Sequence, residues 1–218
     1  MIIEPFTIPE TMPSFEDQEH EINFKYEWIG KGMFAYVSLD WVKPLADWIG
    51  DKQCLEVLAG RGFLAKALSE QNINIIASDD YSLFESDDCQ DEATREKFNI
   101  DKDIYPVFKI KQEDALTAIK NYGMNSSVLI ISWPYDGPMA STIVQEYYRI
   151  VSDPDNAWVI YIGEFGPESR TANETFFEIM EWIDDDDIFE AAALNYTSYV
   201  NNKDSLNLGI LGEEYRSR

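Results

Sequence analysis

Four short runs of apolar residues, separated by stretches with helical spacing, constrain the fold of this chain more than any other feature. The runs read LEVLA, INIIAS, SVLIIS and WVIYIG, at positions 55–59, 73–78, 127–132 and 158–163. Apolar residues follow one another almost without interruption, which is typical of strands that are covered on both faces. Because strands alternate with helical stretches, we expect parallel strands joined by right-handed crossovers.

The full pattern predicts seven strands and six helices. The strands lie at 53–59, 73–78, 106–111, 127–132, 157–162, 188–194 and 205–211, and the helices at 33–49, 61–70, 92–98, 114–122, 138–151 and 172–183. No long helix separates the last two strands, which favours one antiparallel edge strand. The predicted fold class is a doubly wound α/β fold, with a mostly parallel seven-stranded sheet and helices on both faces.

The chain divides into two segments that we expect to form one compact unit. Residues 50–218 hold the strand–helix alternation, whereas residues 1–49 combine an acidic stretch with a helix. The stretch at 1–22 is predicted to be irregular but docked. The seven aromatic residues between 23 and 49 either form a lid over a ligand pocket or pack in the core.

The charge of the chain is strongly negative. Acidic residues number 41 and basic residues 17, which gives a net charge of −24. Such a surface repels DNA, RNA and anionic membranes, so direct nucleic-acid binding is not expected. The charge indicates either an ordinary acidic surface that maintains solubility, or a surface that imitates nucleic acid and binds a basic protein.

Targeting features also bear on the compartment. No apolar stretch approaches the roughly 18 residues of a membrane-spanning helix, and the first residues, MIIEPFTIPE, lack the pattern of a signal peptide. Cys54 and Cys89 are too few for a disulfide framework, so we expect both thiols to be reduced. These observations predict a cytoplasmic protein.

A glycine-containing turn follows the first predicted strand, in the sequence CLEVLAGRG at 54–62. Gly60 and Gly62 permit a positive φ and a close approach of a ligand to the backbone. Glu56, near the end of the strand, can hold a cationic group. An ordinary strand-to-helix turn is the structural alternative.

Acidic residues follow the next two predicted strands. Asp79 and Asp80 close the second strand, one βαβ unit after the glycine turn, where an acid can accept hydrogen bonds from ribose hydroxyls. Glu113 and Asp114 follow the third strand. Each acid has a structural alternative as a cap, and for Asp114 this is the N-cap of the following helix.

The sequence Ser-Trp-Pro-Tyr at 132–135 follows the fourth strand. It is therefore expected at the carboxyl edge of the sheet, where ligands bind in open α/β folds. Trp133 and Tyr135 have an alternative interpretation as packing residues of a rigid proline turn.

In their order, these motifs resemble those of the class I S-adenosylmethionine-dependent methyltransferases. In that family an acid ends the first strand, a glycine-rich turn follows, acids follow the second and third strands, and a polar-Pro-Pro-aromatic motif can follow the fourth. The resemblance covers roughly residues 50–165 and implies a Rossmann-like fold with S-adenosylmethionine as cofactor. Two positions depart from the pattern: Leu58 replaces the first glycine of the turn, and Trp133 replaces the first proline.

The resemblance also implies a role for each motif. Glu56 would hold the ammonium group of the cofactor, and Asp114 would approach the adenine amino group. Asp79 is favoured over Asp80 for the ribose, because it is nearer the strand. The residues expected to bind the cofactor are Glu56, Gly60, Gly62, Asp79, Asp80 and Asp114. Ser132 and Tyr135 are expected to contact the methyl acceptor.

Three smaller signals remain. Glu164 ends the fifth strand and is a candidate general base or ligand for a cationic substrate, with a solvated strand-end acid as the alternative. The four acids at 184–187 lack the spacing and glycine of a calcium loop, so a solvated turn is expected. His20 has no metal-ligand spacing around it, and no metal site is expected.

Two main functions follow from these observations. The first is an S-adenosylmethionine-dependent methyltransferase acting on a small molecule or on a protein nitrogen or oxygen. The second is a catalytically inactive methyltransferase-like protein whose acidic surface contacts a basic nucleic-acid-binding partner. A lyase or aminopropyl-transfer enzyme on the same scaffold is a weaker third. A nicotinamide-dependent dehydrogenase is disfavoured, because the three-glycine fingerprint is missing.

Overall fold

The computed structural model describes residues 3–82, 105–166 and 169–216, which surround one mixed β-sheet. Seven strands form this sheet within the described residues. They are β1 (Cys54–Val57), β2 (Ile75–Asp79), β3 (Ile110–Gln112), β4 (Val128–Ser132), β5 (Trp158–Glu164), β6 (Met180–Trp182) and β7 (Asp204–Leu211).

The helices of the described residues lie before, between and after these strands in the chain. They are α1 (Gln18–Gly30), α2 (Leu39–Ile49), α3 (Phe63–Glu70), α4 (Ala115–Tyr122), α5 (Met139–Ile150), α6 (Glu174–Ile179), α7 (Asp187–Asn195) and α8 (Glu213–Arg216). Short 3₁₀ turns occupy Gly123–Asn125 and Pro154–Asn156.

The sheet has the order β3-β2-β1-β4-β5-β7-β6. Strands β1 to β5 pair in parallel, and β7 is antiparallel to both of its neighbours. The antiparallel pairs lie at one edge of the sheet, which confirms the predicted fold class. The order reverses between β1 and β4, and in open α/β sheets ligands bind outside the carboxyl ends of the strands at such a switch point. The fold is therefore Rossmann-like.

Both faces of the sheet are covered, as the continuous apolar runs predict. On β4, Val128 and Ile130 belong to the core cluster that includes α2 and α3. Their neighbours Leu129 and Ile131 belong to the opposite cluster, which includes α4 and α5. All four are fully buried, and each contributes about 1.5–3 kcal/mol relative to an exposed position.

The N-terminal stretch is docked, as predicted, but it is not irregular throughout. Residues 18–22 begin helix α1, whose N-cap Asp17 accepts a hydrogen bond from the amide of His20. The prediction for these residues was wrong, because the capping acid outweighed the polar composition. Upstream, the carbonyl groups of Pro9 and Glu10 each accept a 2.9 Å hydrogen bond from the first turn of α2.

That docking also explains where α2 begins. The predicted helix at 33–49 starts only at Leu39. Residues 33–37 are largely buried without being helical, so their apolar side chains reflect core packing rather than helical periodicity. Because amides at the start of a helix lack partners within the helix, the docked stretch satisfies them at Leu39.

The largest error concerns the predicted strand at 188–194, which is helix α7. The side chain of Asp186 accepts hydrogen bonds from the amides of Ile188 and Phe189 and caps this helix. Its interior is rich in alanine, which favours a helix. The acidic run at 184–187 was predicted to be a solvated turn, and instead it leads into helix α7, with Asp186 as the N-cap and Asp187 as the first helical residue.

The sixth strand lies earlier in the chain than expected. The predicted helix at 172–183 is helical only from Glu174 to Ile179 and continues as the edge strand β6. The predicted helix at 92–98 and Cys89 lie outside the described residues. Cys54 is a buried free thiol, and burial raises its pKa to about 12. Among the described helices, none has the length and apolar character needed to span a membrane.

Candidate functional site

A cavity of about 250 Å³ opens at the carboxyl edge of the sheet, where the strand order reverses. The loops after β1, β2, β4 and β5 all contribute to it. Its lining consists of Phe34, Leu58, Gly60, Asp79, Asp80, Ser82, Ser132, Trp133, Pro134, Tyr135 and Arg170. The structure thus brings together five of the predicted site residues: Gly60, Asp79, Asp80, Ser132 and Tyr135.

Three residues of the turn after β1 have left-handed backbone conformations. The φ angles are +57° at Leu58, +54° at Gly60 and +82° at Gly62. Leu58 keeps the conformation that glycine adopts readily, although a non-glycine residue there is strained by about 1–2 kcal/mol. Its side chain packs against the core and lines the cavity. Leucine in place of the family's glycine at position 58 therefore adds a side chain to the cavity wall, while the backbone of the turn keeps its left-handed conformation.

Gly62 has a packing role instead. It is the N-cap residue of α3 and does not line the cavity. A Cβ atom at this position would lie 2.7 Å from the Ile110 side chain and 2.9 Å from that of Phe108. The absence of a side chain at Gly62 thus allows α3 to begin against the segment that leads into β3.

Asp79 links the ends of β1 and β2. One carboxylate oxygen accepts a 2.7 Å hydrogen bond from the amide of Gly60, and the other accepts one of the same length from the amide of Tyr81. Burial raises the pKa of Asp79, and the two amides partly oppose this. Each oxygen keeps a further lone pair for a hydroxyl donor from a ligand. Asp80 is exposed and accepts a hydrogen bond from the amide of Ser82.

Glu56 lies at the back of this site. It lines a smaller chamber of about 40 Å³, which shares Phe34, Leu58, Gly60 and Ser132 with the main cavity. Its Oε2 atom is buried without a hydrogen-bond partner among the described residues. Burial raises the pKa of Glu56 to about 8, and the nearby charge of Asp79 adds to the increase.

An ionised carboxylate with a buried, unpaired oxygen is costly, because that oxygen has lost its water and gained nothing in return. Glu56 therefore keeps its proton to a higher pH than usual unless a donor enters the chamber. The chamber exceeds the roughly 10–15 Å³ that one water molecule needs. It therefore has room for a water molecule or an ammonium group as the missing donor.

The 132–135 turn forms the wall next to β4. Trp133 has a φ of +49°, and its amide donates a 2.8 Å hydrogen bond to the carbonyl of Ile162, at the end of β5. Pro134 is buried, whereas Tyr135 is 43% exposed. The Trp133 ring packs against the core and lines the cavity. Trp133 thus packs as its alternative interpretation expects, and it also lines the cavity.

Glu164 does not line the cavity, but it holds a residue that does. Its buried carboxylate accepts hydrogen bonds from Nε, Nη2 and the backbone amide of Arg170. These bonds keep the pKa of Glu164 below its usual range. Glu164 is consequently a weak base whose carboxylate orients Arg170.

Asp114 lies outside the cavity lining. It is exposed and caps α4, accepting a 3.0 Å hydrogen bond from the amide of Thr117 and a 2.6 Å bond from its hydroxyl. These bonds lower the pKa of Asp114. Its structural alternative, the N-cap, is the role seen in the structure.

Six of the eleven lining residues were not site candidates from the sequence. Leu58, Trp133 and Pro134 lie within the motifs after β1 and β4, whereas Phe34, Ser82 and Arg170 lie outside every motif. Phe34 belongs to the aromatic segment for which a lid was one interpretation. Ser82 follows the two acids of β2. Arg170 carried no usable signal, because its position depends on the path of the chain after β5. Within the described residues, no group of three or more His, Cys, Asp or Glu side chains could hold a metal ion.

The similarities of this chain to known proteins are found among solved structures. No protein-family model and no curated protein matches the chain. Among solved structures, it is similar to TehB from Haemophilus influenzae, with 12% identity, a TM-score of 0.45, and coverage of 78% of this chain and 61% of TehB. It is also similar to magnesium protoporphyrin IX methyltransferase from Synechocystis PCC 6803 with bound SAH, with 9% identity, a TM-score of 0.47, and coverage of 92% and 90%.

The identities and TM-scores are too low for these neighbours to indicate what this chain does. Its function has to be inferred from its own residues.

Proposed function

We propose that this chain is an S-adenosylmethionine-dependent methyltransferase that acts on a small molecule or on a protein nitrogen or oxygen. The observation that carries the proposal is the cavity at the switch point of the sheet. It extends from Asp79 to the 132–135 turn and adjoins the unpaired carboxylate of Glu56.

The side chains fit the polar groups of this cofactor. The remaining lone pairs of Asp79 can accept hydrogen bonds from the ribose hydroxyls. The buried Oε2 of Glu56 has no donor among the described residues, and the cofactor's ammonium group, directly or through one water molecule, is a donor of the right charge for the ionised carboxylate. Gly60 lines the cavity without a side chain, so a ligand can approach its backbone.

The acceptor is expected on the other side of the cavity, at the 132–135 turn. S-adenosylmethionine, when bound, supplies a methyl group that a sulfonium sulfur makes electrophilic. Ser132 can orient the acceptor by a hydrogen bond, and the exposed ring of Tyr135 can stack on it. Positioning supplies much of the acceleration in such a displacement, so a strong base is not required.

Calorimetry with S-adenosylhomocysteine tests the cofactor site. We expect binding to the wild type and about tenfold or greater weakening in Asp79→Asn, because a charged acceptor is lost. Asp114→Asn is the matched control: it makes the same change outside the cavity and should leave affinity unchanged. Thermal melts verify that both variants fold.

The acidic binding-protein hypothesis makes the opposite prediction. It predicts that S-adenosylhomocysteine does not bind. It also predicts a complex with a basic protein, whose affinity falls as the salt concentration rises. Absence of binding to the wild type at high micromolar ligand would refute the enzyme proposal and favour this alternative. The left-handed backbone kept at Leu58 supports the enzyme.

A further inference from the structure

Arg170 is the one basic side chain among the described residues that line the cavity. It lies in the loop after β5, and its side chain is 67% exposed. The chain has only 17 basic residues against 41 acidic ones. A guanidinium at this cavity is therefore a local exception to the charge of the protein.

The guanidinium is held by one of its two edges. Nε lies 3.0 Å from Oε2 of Glu164, Nη2 bonds to the other carboxylate oxygen, and the backbone amide of Arg170 lies 3.1 Å from Oε2. Because Glu164 is buried at the end of β5, this contact fixes the plane of the guanidinium. Nη1 makes no hydrogen bond to any described residue.

The second edge of the group, formed by Nη1 and Nη2, therefore remains available. Guanidinium edges match the geometry of a carboxylate and bind it through two parallel hydrogen bonds. Holding one edge on Glu164 reduces the rotamer entropy that binding at the other edge would cost.

The charged groups next to this pair carry no excess of acid. Asp204 on β7 is the register partner of Glu164, and Lys25 on α1 lies close enough for its pKa to respond to Arg170, Asp204 and Glu164. The charge of Lys203 also acts on Glu164. The pair and its neighbours thus comprise two acids and three bases, so a bound monoanion is not opposed by an excess of acid next to it.

The rest of the cavity limits the form of the ligand. Phe34, Trp133, Pro134 and Tyr135 give it aromatic and apolar walls. The acids Asp79 and Asp80 also line it, and they disfavour a dianion such as a phosphate monoester more than a singly charged carboxylate.

We infer that the methyl acceptor is a carboxylate with an apolar or aromatic body, and that the Nη1–Nη2 edge of Arg170 binds its carboxylate. The assignment of this carboxylate as the methyl acceptor rests on the proposed function. Glu164 is a positioning residue, because it acts on the ligand through Arg170.

Ligand-observed NMR with benzoate, phenylacetate and indole-3-acetate, each paired with its neutral amide, tests the inference. The carboxylates should bind the wild type more tightly than the amides. In Arg170→Gln, carboxylate binding should weaken about tenfold to a hundredfold, the range for hydrogen bonds to charged groups, while amide binding stays unchanged. Arg170→Lys, which keeps the charge without the fork, should give an intermediate loss.

Arg149→Gln is the matched control. Arg149 forms the same side-on pair with Glu146 on α5, away from the cavity, so its replacement should leave carboxylate binding unchanged. Equal loss in both variants would show a general charge effect and overturn the inference. Equal affinity for acids and amides, or no carboxylate binding to the wild type at millimolar concentration, would overturn it as well.

S-adenosylhomocysteine, titrated into the same variants, separates this inference from the proposed function. Its affinity should be unchanged in Arg170→Gln, and carboxylates should bind alongside it. If Arg170→Gln weakens its binding and carboxylates compete with it, Arg170 holds the cofactor and the acceptor assignment is refuted. If it does not bind but carboxylates still depend on Arg170, the methyltransferase proposal fails and the carboxylate site stands.

Discussion

Replacing Glu56 with glutamine removes the ionisable group at the back of the candidate site while keeping its size. Burial raises the pKa of this carboxyl from 4.5 to about 8. Between these two pH values the folded protein keeps the proton, whereas the unfolded chain has lost it. The contribution of Glu56 to the free energy of unfolding therefore falls as pH rises through this window.

The size of the effect follows from the shift. Each pH unit costs about 1.4 kcal/mol while the two states differ by one proton. Over the whole window the penalty reaches up to about 5 kcal/mol. Glu56→Gln has no proton to lose, so the variant should gain stability relative to the wild type as pH rises.

Urea unfolding of both proteins at several values between about pH 5 and pH 8 measures this difference. The other titrating groups are common to both proteins, so their contributions cancel in the difference between the two free energies of unfolding. An unpaired amide proton in the variant adds only a constant offset. Glu146→Gln is the control: Arg149 lowers the pKa of Glu146, so the difference from wild type should be flat over this range. A flat difference for Glu56→Gln as well would refute the reasoning.

The same proton gives a test in the bound state. If Glu56 ionises to hold an ammonium group, binding of S-adenosylhomocysteine at pH 7 should release about 0.9 proton, the fraction protonated at a pKa of about 8. Calorimetry in buffers of different ionisation enthalpy measures this release. It should vanish in Glu56→Gln, and a release that persists in the variant would assign the proton to another group.

Three further predictions concern the turn and the caps. At Leu58, the φ of +57° should make Leu58→Gly about 1 kcal/mol more stable than Leu58→Ala in urea unfolding. Thr142 in helix α5 is the control site, where Thr142→Ala should be more stable than Thr142→Gly. If glycine were the more stable residue at both sites, or alanine at both, the strain at Leu58 would be contradicted. Gly62→Ala places Cβ 2.7 Å and 2.9 Å from two side-chain carbons and should lower the free energy of unfolding by about 2–3 kcal/mol. Gly50→Ala is the control, because φ is positive there but the space is open, and it should cost about 1 kcal/mol. Equal melting temperatures of the two variants would refute the packing role of Gly62. Asp114→Ala should cost about 1 kcal/mol in thermal unfolding through loss of the N-cap, and reduced affinity for S-adenosylhomocysteine in this variant would return Asp114 to the binding site.

Much of the fold was predictable because burial on both faces leaves a local record. Strands β1, β2, β4 and β5 are continuous apolar runs, and the hydrophobic effect requires that character of any strand between two helical layers. The failures lie where local patterns are ambiguous. The residues of α7 form a short apolar run that suits a strand or a helix, and its capping contact from Asp186 decided between them.

For the candidate site too, features with a clear local pattern were predicted and features that depend on side-chain direction were not. Gly60, Asp79 and the 132–135 turn come directly after predicted strands, and parallel strands bring their carboxyl ends to one edge. Asp114 also follows a strand, yet its carboxylate turns to the helix that it caps. The choice between a ligand and a cap depends on side-chain direction, which sequence spacing does not encode.

The amino-acid sequence by itself determined the layered α/β architecture and the edge of the sheet that holds the candidate site. The reason is that hydrophobic periodicity and the alternation of strands and helices along the chain can be read from the sequence. Only the tertiary structure showed that Oε2 of Glu56 has no donor within the part of the chain that it describes, that Leu58 keeps a glycine-like backbone, and that Glu164 holds Arg170 at the cavity. Those features depend on the distances between atoms from separate strands and loops, and packing alone sets such distances.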